Sequence, residues 1–304
     1  MKKHFNTSLS LLLLSIFTLA SCSEDTPDLN TPDPTNGSIN LLAAKVGTAN
    51  TEITNINLEN GEQFSFVTEC MVLSSRVYDA TTETIGYTSC DNTFVMVNPT
   101  TGEQLNAYPL PGAVNMAVVN DAEHLLIGTY YNQTEEMNHI IRLDLDNGEL
   151  LSDITVDNLG PMYTCTQFFN QGNQTFSLIR SDDRIVTIDA ASGQIVSEVG
   201  VNAGTNIIYF REEFNTLISI TYDQASDTNF VEQTNVATGE LLKRTALQRP
   251  SNFRLCAISF DSSRNSLVTI NSDNQVRYIN IDNGEVVDDI ALDPEKLPLT
   301  FYAQ

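Results

Sequence analysis

The sequence contains no tryptophan, and its 304 residues include only three histidines and five cysteines. It is also poor in positive charge, since 15 lysines and arginines stand against 39 aspartates and glutamates, for a formal net charge of −24. Such a surface repels phosphate backbones and anionic headgroups, so nucleic acid is not expected as a partner. The absence of tryptophan weakens the case for a site that stacks sugar rings.

Motifs of the common catalytic and metal sites are missing as well. The sequence has no HExxH, GxSxG or SxxK motif and no glycine-rich phosphate loop. Beyond the N-terminal segment only His124 and His139 remain, and neither belongs to a motif. A catalytic pair of carboxylates is conceivable among so many acids, but nothing singles one out. We therefore predict no catalytic residue, no metal ligand and no cofactor.

The first residues have the pattern of an export signal. Lys2 and Lys3 precede an apolar stretch from Leu9 to Leu19, which is shorter than the ~20 residues that span a membrane. It ends in the letters LASC at Cys22, which resemble the lipobox of bacterial lipoproteins. The resemblance implies that residues 1–21 are removed and that Cys22 carries lipid, which gives durable membrane anchoring. An ordinary signal peptide with a chance cysteine is the alternative.

Residues 22–38 are expected to form a flexible tether. The segment from Ser23 to Ser38 holds three prolines and four acids and hardly any large apolar side chain, so it buries too little surface to fold. Acids directly after the lipidated cysteine resemble the surface-export signal of some Gram-negative lipoproteins. We expect a protein anchored to the bacterial outer membrane, either exposed at the cell surface or retained on the periplasmic side.

The remainder of the chain repeats one short pattern six times. Each copy has an Asn or Asp four positions before a glycine, with Glu or Gln directly after that glycine, and the glycines are 41 to 46 residues apart. An Asx side chain can start a turn by accepting backbone N–H groups, and glycine supplies the positive φ at its end. The pairs are Asn57 and Gly61, Asn98 and Gly102, Asp144 and Gly148, Asp189 and Gly193, Asn235 and Gly239, and Asn280 and Gly284.

A calcium loop is the alternative interpretation of one copy, which contains Asp144, Asp146 and Glu149. Its spacing does not match the 12-residue calcium loop, and other copies have Asn at the same positions. We therefore interpret all six copies as turns of outer β-hairpins.

Two further strand-like runs precede each hairpin, which gives four strands for every unit of about 45 residues. That period is typical of one blade of a β-propeller. The pattern resembles the YVTN and quinoprotein-like repeats of bacterial propellers, although the docking tryptophan of quinoprotein repeats is absent. The resemblance covers residues 41–304 and implies an all-β, six-bladed β-propeller with four antiparallel strands per blade. We place this single domain at residues 39–304.

The two ends of the domain predict how the ring closes. The first unit has only three strands, at Leu41–Val46, Glu52–Leu58 and Gln63–Thr68, whereas Leu297–Ala303 falls where another innermost strand is due. A one-plus-three closure, with the C-terminal strand completing the first blade, uses every strand and leaves no free sheet edges there.

Four cysteines remain in the domain. Cys70 and Cys90 flank one hairpin and face each other, so a disulfide between them is about as plausible as two free thiols in an oxidising compartment. Cys165 and Cys256 lie at equivalent points of the fourth and sixth blades. Because pairing would have to span the central channel, we expect two buried thiols.

The innermost strands carry mostly apolar residues and suggest packing rather than an active site. We therefore predict a non-catalytic binding or scaffold module, with a propeller lactonase or cyclotransferase as the alternative. A protein or small-ligand partner is expected on the face that bears the connections between blades and the hairpins between second and third strands, where aromatic and arginine side chains favour contact. The predicted contact residues, with ordinary rim residues as the alternative, are Tyr130, Tyr131, His139, Tyr163, Arg211, Arg249 and Arg254.

Overall fold

A computed structural model describes residues 38–46, 50–68, 70–202, 204–205, 207–249 and 251–303. The predicted signal peptide, Cys22 and the tether as far as residue 37 lie outside the described residues. Within the described part, no helix has the length and apolar character needed to cross a membrane.

The described residues form 24 strands and one turn of 3-10 helix. The strands make six four-stranded antiparallel sheets, the blades. Blade 1 contains β1 (Ile39–Val46), β2 (Thr51–Asn57), β3 (Gln63–Thr68) and the C-terminal strand β24 (Leu297–Ala303), and blade 2 contains β4 (Met71–Asp79), β5 (Thr84–Ser89), β6 (Thr93–Val97) and β7 (Gln104–Pro109). Blade 3 contains β8 (Met116–Asn120), β9 (Leu125–Asn132), β10 (Met137–Asp144) and β11 (Leu150–Val156), and blade 4 contains β12 (Phe168–Asn170), β13 (Thr175–Arg180), β14 (Arg184–Asp189) and β15 (Ile195–Gly200). Blade 5 contains β16 (Ile207–Arg211), β17 (Thr216–Asp223), β18 (Thr228–Asn235) and β19 (Leu241–Ala246), and blade 6 contains β20 (Phe253–Asp261), β21 (Ser266–Asn271), β22 (Gln275–Asn280) and β23 (Val286–Ala291).

The ring closes as the sequence predicts. β24 pairs antiparallel with β1, with Leu41 opposite Phe301, and becomes the innermost strand of blade 1. The six-bladed fold and its one-plus-three closure are therefore confirmed.

The hydrophobic core lies between the blades. Each of six buried clusters joins the facing sides of two neighbouring blades; one packs Leu126 of blade 3 against Phe94 of blade 2. The second strand of a blade is covered on both sides, so β21 is buried at every position, whereas the outermost β15 alternates between partly buried and exposed. The outer strand therefore exposes one of its faces to solvent, whereas the second strand is buried on both faces, even at polar residues such as Ser266 and Thr269.

The six Asx-to-glycine corners have one geometry. In each, the glycine has φ between 68° and 75°, and its N–H donates to the carbonyl of the Asx residue four positions earlier at 2.8 to 3.0 Å. Each Asx side-chain oxygen accepts the N–H groups two and three residues on, as Asp144 does from Asp146 (2.8 Å) and Asn147 (3.3 Å). The corner thus satisfies backbone donors that a sharp turn would otherwise leave unpaired.

Blades alternate between two forms. In blades 3 and 5 the second and third strands have eight residues each, whereas in blades 2, 4 and 6 they have five or six. Blades 2, 4 and 6 also have an irregular innermost segment, and in blade 4 the innermost strand is only Phe168–Asn170. The reason is local: Thr166 donates to the carbonyl of Tyr163 and accepts the N–H of Ile179, which replaces strand pairing.

The propeller has two faces. We call the face where the innermost strands begin the upper face; it bears the connections between blades and the hairpins between second and third strands. The face where the innermost strands end is the lower face, and the chain enters the ring there at Ser38.

Candidate functional site

Two of the predicted contact residues are buried in a polar network on the upper side of blade 3. The His139 Nδ1 atom lies 2.7 Å from a carboxylate oxygen of Asp153, and its Nε2 atom lies 3.0 Å from Glu135. The Tyr130 hydroxyl donates to Asp153 at 2.8 Å, and burial, with this carboxylate, raises the pKa of Tyr130. Tyr130 and His139 are 5% and 6% exposed. These two side chains join strands within the blade and offer little surface.

Other predicted residues stand at the upper face as separate groups. Tyr131 is half exposed, Tyr163 lies beside Asp183, and Arg249 forms an exposed ion pair with Asp289. Arg254 lies on the irregular segment of blade 6, where its Nε atom is buried without a hydrogen-bond partner. The structure does not bring these side chains together in a cavity.

Arg211 does not belong to the upper face, which corrects the prediction. It is the last residue of the innermost strand β16 and therefore lies at the lower end of blade 5. The side chain is 3% exposed, stacks over the rings of Phe214 and Phe260 and pairs with Glu213 at 2.9 Å. Its role is packing between blades 5 and 6.

The structure joins the four cysteines in two disulfides. Cys70 and Cys90, with Cα atoms 5.5 Å apart, link the first two strands of blade 2. Cys165 and Cys256 are also joined, with Cα atoms 5.0 Å apart, so the expectation of two buried thiols is wrong. Both cysteines have positive φ, at 62° and 72°, on the irregular segments of blades 4 and 6. These segments bulge from their sheets and bring the two sulfurs together across the channel.

Below this cross-channel disulfide lies the channel cavity, of about 460 Å³. Its walls come from the innermost segments of all six blades and include apolar side chains such as Val118, Phe168 and Ile208. The polar groups include Arg76, Gln167 and Asp121.

Arg76 is the notable charge in the channel cavity. Its Nη2 atom donates to the carbonyl oxygens of Leu299 and, at 3.4 Å, Cys256, while its Nε atom is buried without a partner. Among the described residues no carboxylate lies within 4.0 Å of it, although Asp121 lines the same cavity. Burial lowers the pKa of Arg76 to about 9, so the side chain is still charged at neutral pH.

A second cavity, the lower pocket, opens on the lower face between blades 1 and 6 and has a volume of about 900 Å³. Tyr78 stacks on Tyr302 with ring centroids 4.4 Å apart, and Tyr209 stacks on Phe260 at 5.6 Å. Burial raises the pKa of Tyr278 to about 12, which keeps its phenol neutral. Neutral aromatic rings thus form part of the pocket wall, which also contains charged side chains, Glu59 among them.

The rim of the lower pocket is charged. Arg264 lies over the ring of Tyr278, with 4.7 Å from its guanidinium carbon to the ring centroid, and pairs with Asp261 (3.5 Å) and Asp288 (3.8 Å). Ser262, on the hairpin between the first two strands of blade 6, lies beside them. A polar group of a ligand can therefore form hydrogen bonds or ion pairs with these side chains, while its apolar part packs against the aromatic rings of the pocket.

The two cavities are neighbours. Tyr209 and Ile258, which lie on the innermost strands of blades 5 and 6, contribute to the walls of both.

Sequence reasoning missed this arrangement for a specific reason. It treated Tyr209 and Ile258 as packing of the innermost strands and looked for a site among the upper loops. An aromatic residue near the lower end of three innermost strands, at Tyr78, Tyr209 and Tyr302, was the available signal. Arg76 gave no signal, because its lack of a counter-ion depends on strands from three blades.

Metal-binding groups are not gathered in the described part of the chain. No set of three or more histidine, cysteine, aspartate or glutamate side chains there is arranged to hold an ion.

Comparison with known proteins gives a structural neighbour. No protein-family model matches the sequence, and no curated protein matches it. Among solved structures, the WD40 β-propeller domain of Doa1 superposes with a TM-score of 0.56 and 14% sequence identity, covering 87% of this chain and 86% of that one. At this identity the likeness concerns the fold alone, and it agrees with a chain that is a six-bladed β-propeller.

Proposed function

We propose that this chain is a lipid-anchored protein of the bacterial cell envelope whose propeller is a non-catalytic binding module for a small ligand. The observation that carries the proposal is that two neighbouring cavities, the lower pocket and the channel cavity, share Tyr209 and Ile258 in their walls. The ligand enters from the lower face and lies against the aromatic walls.

The shape and lining support a small molecule. Ligand sites are commonly concave, about 300 to 1,000 Å³ in volume, and lined by apolar and aromatic side chains with a few polar groups. The lower pocket, at about 900 Å³, lies within that range. Its stacked pairs, Tyr78 with Tyr302 and Tyr209 with Phe260, present flat apolar surface that favours an aromatic or elongated apolar body.

Two observations support the envelope location. Disulfides persist in oxidising compartments, and both cysteine pairs of the propeller are joined. The N-terminal pattern ending at Cys22 is that of an exported lipoprotein.

The exposed Tyr131 and Tyr222 occupy equivalent positions on blades 3 and 5 of the upper face and are 50% and 52% exposed. This face remains our predicted surface for a protein partner. We propose no enzymatic activity, because no observation favours a specific reaction.

A fluorescence titration tests the binding function. The full chain carrying Cys22→Ser, purified without detergent, is titrated with N-phenyl-1-naphthylamine, a neutral aromatic probe that fluoresces in apolar surroundings. We expect saturable binding of one probe per chain. Ile258→Trp narrows the junction of the two cavities and is expected to weaken binding, whereas Tyr131→Ala on the upper face is not.

Two results would count against the binding function. The first is that the folded chain shows no saturable signal; the second is that Ile258→Trp and Tyr131→Ala have the same effect while both melt cooperatively.

Cell fractionation tests the anchor separately. In the native host, Cys22→Ser is expected to move the protein from the membrane fraction to the soluble fraction. Protease added to intact cells then distinguishes surface exposure from periplasmic retention. Membrane association that is independent of Cys22 would exclude the lipid anchor.

A further inference from the structure

We propose that the ligand of the two cavities is an organic monoanion whose single oxyanion group, a carboxylate or sulfonate, binds Arg76 in the channel cavity. This inference rests on the proposed binding function and adds the chemical class of the ligand. The apolar body of the ligand lies in the lower pocket.

The first argument is the missing counter-ion of Arg76. Its protein partners are the carbonyl oxygens of Leu299 and Cys256, which are dipoles and leave the positive charge unneutralised. Burying a charge without a partner is unfavourable, and mostly such groups are paired. Eight other arginines of the described residues follow that rule and pair with a carboxylate: Arg142, Arg180, Arg184, Arg211, Arg244, Arg249, Arg264 and Arg277. Arg76 and Arg254 are the exceptions, each with a buried Nε atom that has no partner, and of these two it is Arg76 that lines the channel cavity.

The acidity of the chain makes this exception more informative. With 39 acids against 15 lysines and arginines, a carboxylate partner for a buried arginine is easy to supply. Yet the described residues place none beside Arg76, and the one acid that lines the channel cavity, Asp121, is not within ion-pair distance. An anion from outside the chain completes the site.

The second argument concerns the surroundings of Arg76. Apolar side chains such as Val118 and Phe168 form part of the cavity wall, and a charge pair formed beside such groups is stronger than one in bulk water. Gln167, whose Nε2 atom donates to the carbonyl of Ala117, also lines the cavity, and Ser74 adds a hydroxyl. A guanidinium with hydroxyl and amide groups nearby is suited to an oxyanion.

The third argument sets the charge of the ligand at one. Arg76 supplies one positive charge, while Asp121 and the formal net charge of −24 oppose a second negative charge on the ligand. Tyr209 and Ile258, which line both cavities, place the lower pocket with its aromatic rings next to the cavity that holds this charge. The recognised molecule therefore combines one oxyanion with an apolar body.

Two matched probes test the inference. 8-Anilinonaphthalene-1-sulfonate differs from N-phenyl-1-naphthylamine by its sulfonate group. The ratio of the two affinities therefore measures what the negative charge contributes to binding of the same ring system. We expect the chain carrying Cys22→Ser to bind the sulfonate at least about tenfold more tightly, which is the usual size of a hydrogen-bonded charged contact.

Arg76→Met removes the charge but retains much of the side-chain length. It is expected to abolish the preference for the sulfonate while leaving the affinity for the neutral probe within about twofold. Arg249→Met, which removes an equal charge from the upper face, is the control and is expected to preserve the preference. Thermal melting shows whether each variant is folded.

Competition provides a readout that needs no variant. Benzoate is expected to displace the neutral probe at concentrations at which benzyl alcohol, its neutral analogue, does not.

The outcomes separate the two proposals. Binding of the neutral probe with no preference for the sulfonate, or a preference that Arg249→Met removes as well as Arg76→Met, overturns the anion site and leaves the binding function standing. Failure of both probes to bind the unmodified cavity overturns the binding function together with this inference.

Discussion

At the scale of single residues, His124 shows how two blades are held together by charge. It lies just before β9 of blade 3, where its Nε2 atom is 2.8 Å from Asp79, the last residue of β4 in blade 2. Its Nδ1 atom is 2.6 Å from Asp146, in the corner of blade 3. Burial alone would lower the pKa of His124, but the hydrogen bonds with the two carboxylates outweigh it, so the pKa is raised.

The raised pKa predicts a pH dependence of stability. Protonated His124 stabilises the fold fully below its unfolded pKa of about 6.5, and this contribution is lost as pH rises through the higher pKa of the folded state. We expect His124→Gln to lower the free energy of unfolding more at pH 5.5 than at pH 9. Urea unfolding of both chains across this range measures the difference, and a constant difference would contradict the assignment.

The contacts of His124 also show what sequence can reveal at this scale. The Asx and glycine residues of the corners are local, since donor and acceptor lie within four positions, and their pattern in the sequence was sufficient to predict the turns. The partnership of His124 with Asp79 spans 45 residues and two blades, so no local pattern encodes it. The same reason explains the misplacement of Arg211, whose aromatic partner Phe260 belongs to the next blade.

At the scale of elements, the six corners share one turn but differ in what surrounds the glycine. A Cβ added at Gly61 would meet nothing within 4 Å, whereas one added at Gly284 would overlap the carbonyl oxygen of Ala246 on β19 of blade 5. Both glycines have positive φ, at 75° and 68°. A substitution at Gly61 therefore introduces only the backbone strain of an L-residue at positive φ, whereas one at Gly284 adds steric overlap with the neighbouring blade.

We expect Gly61→Ala to destabilise the chain by about 1 to 2 kcal/mol, the strain of a left-handed conformation. Gly284→Ala is expected to be clearly more damaging, because backbone of blade 5 must also move. Chemical denaturation of the two variants provides the comparison. Equal effects would show that the corner of blade 6 does not pack on blade 5 as described.

At the scale of the whole molecule, the repeat is a pair of blades. Cys165 and Cys256 are 91 residues apart, and the same interval separates Gly102, Gly193 and Gly284. Ser74 stands at the corresponding position of blade 2 and lines the channel cavity with the two cysteines. The single-blade period was visible in the sequence through its corners. The alternation of the two blade forms was not recognised, because the blades differ in strand length and in bulged segments, and the turn pattern contains no information about either.

The position of the cross-channel disulfide predicts a difference between the two disulfides. It closes a loop of 91 residues, whereas Cys70 and Cys90 are 20 residues apart. Loop-closure entropy gives about 4 to 5 kcal/mol for the longer loop and about 3 kcal/mol for the shorter one. We expect the double serine variant at 165 and 256 to melt at a lower temperature than that at 70 and 90, and the reverse order would contradict this reasoning.

The pairing of β24 with β1 has a consequence for how the protein reaches its folded state. β1 is synthesised before the other strands of the ring and β24 after them, so a chain that emerges from its N-terminus cannot complete blade 1 until β24 is free. Contacts between such distant segments slow folding, because a large loop must close before any of them forms. A nascent chain from which β24 has not yet emerged therefore carries an incomplete, open ring.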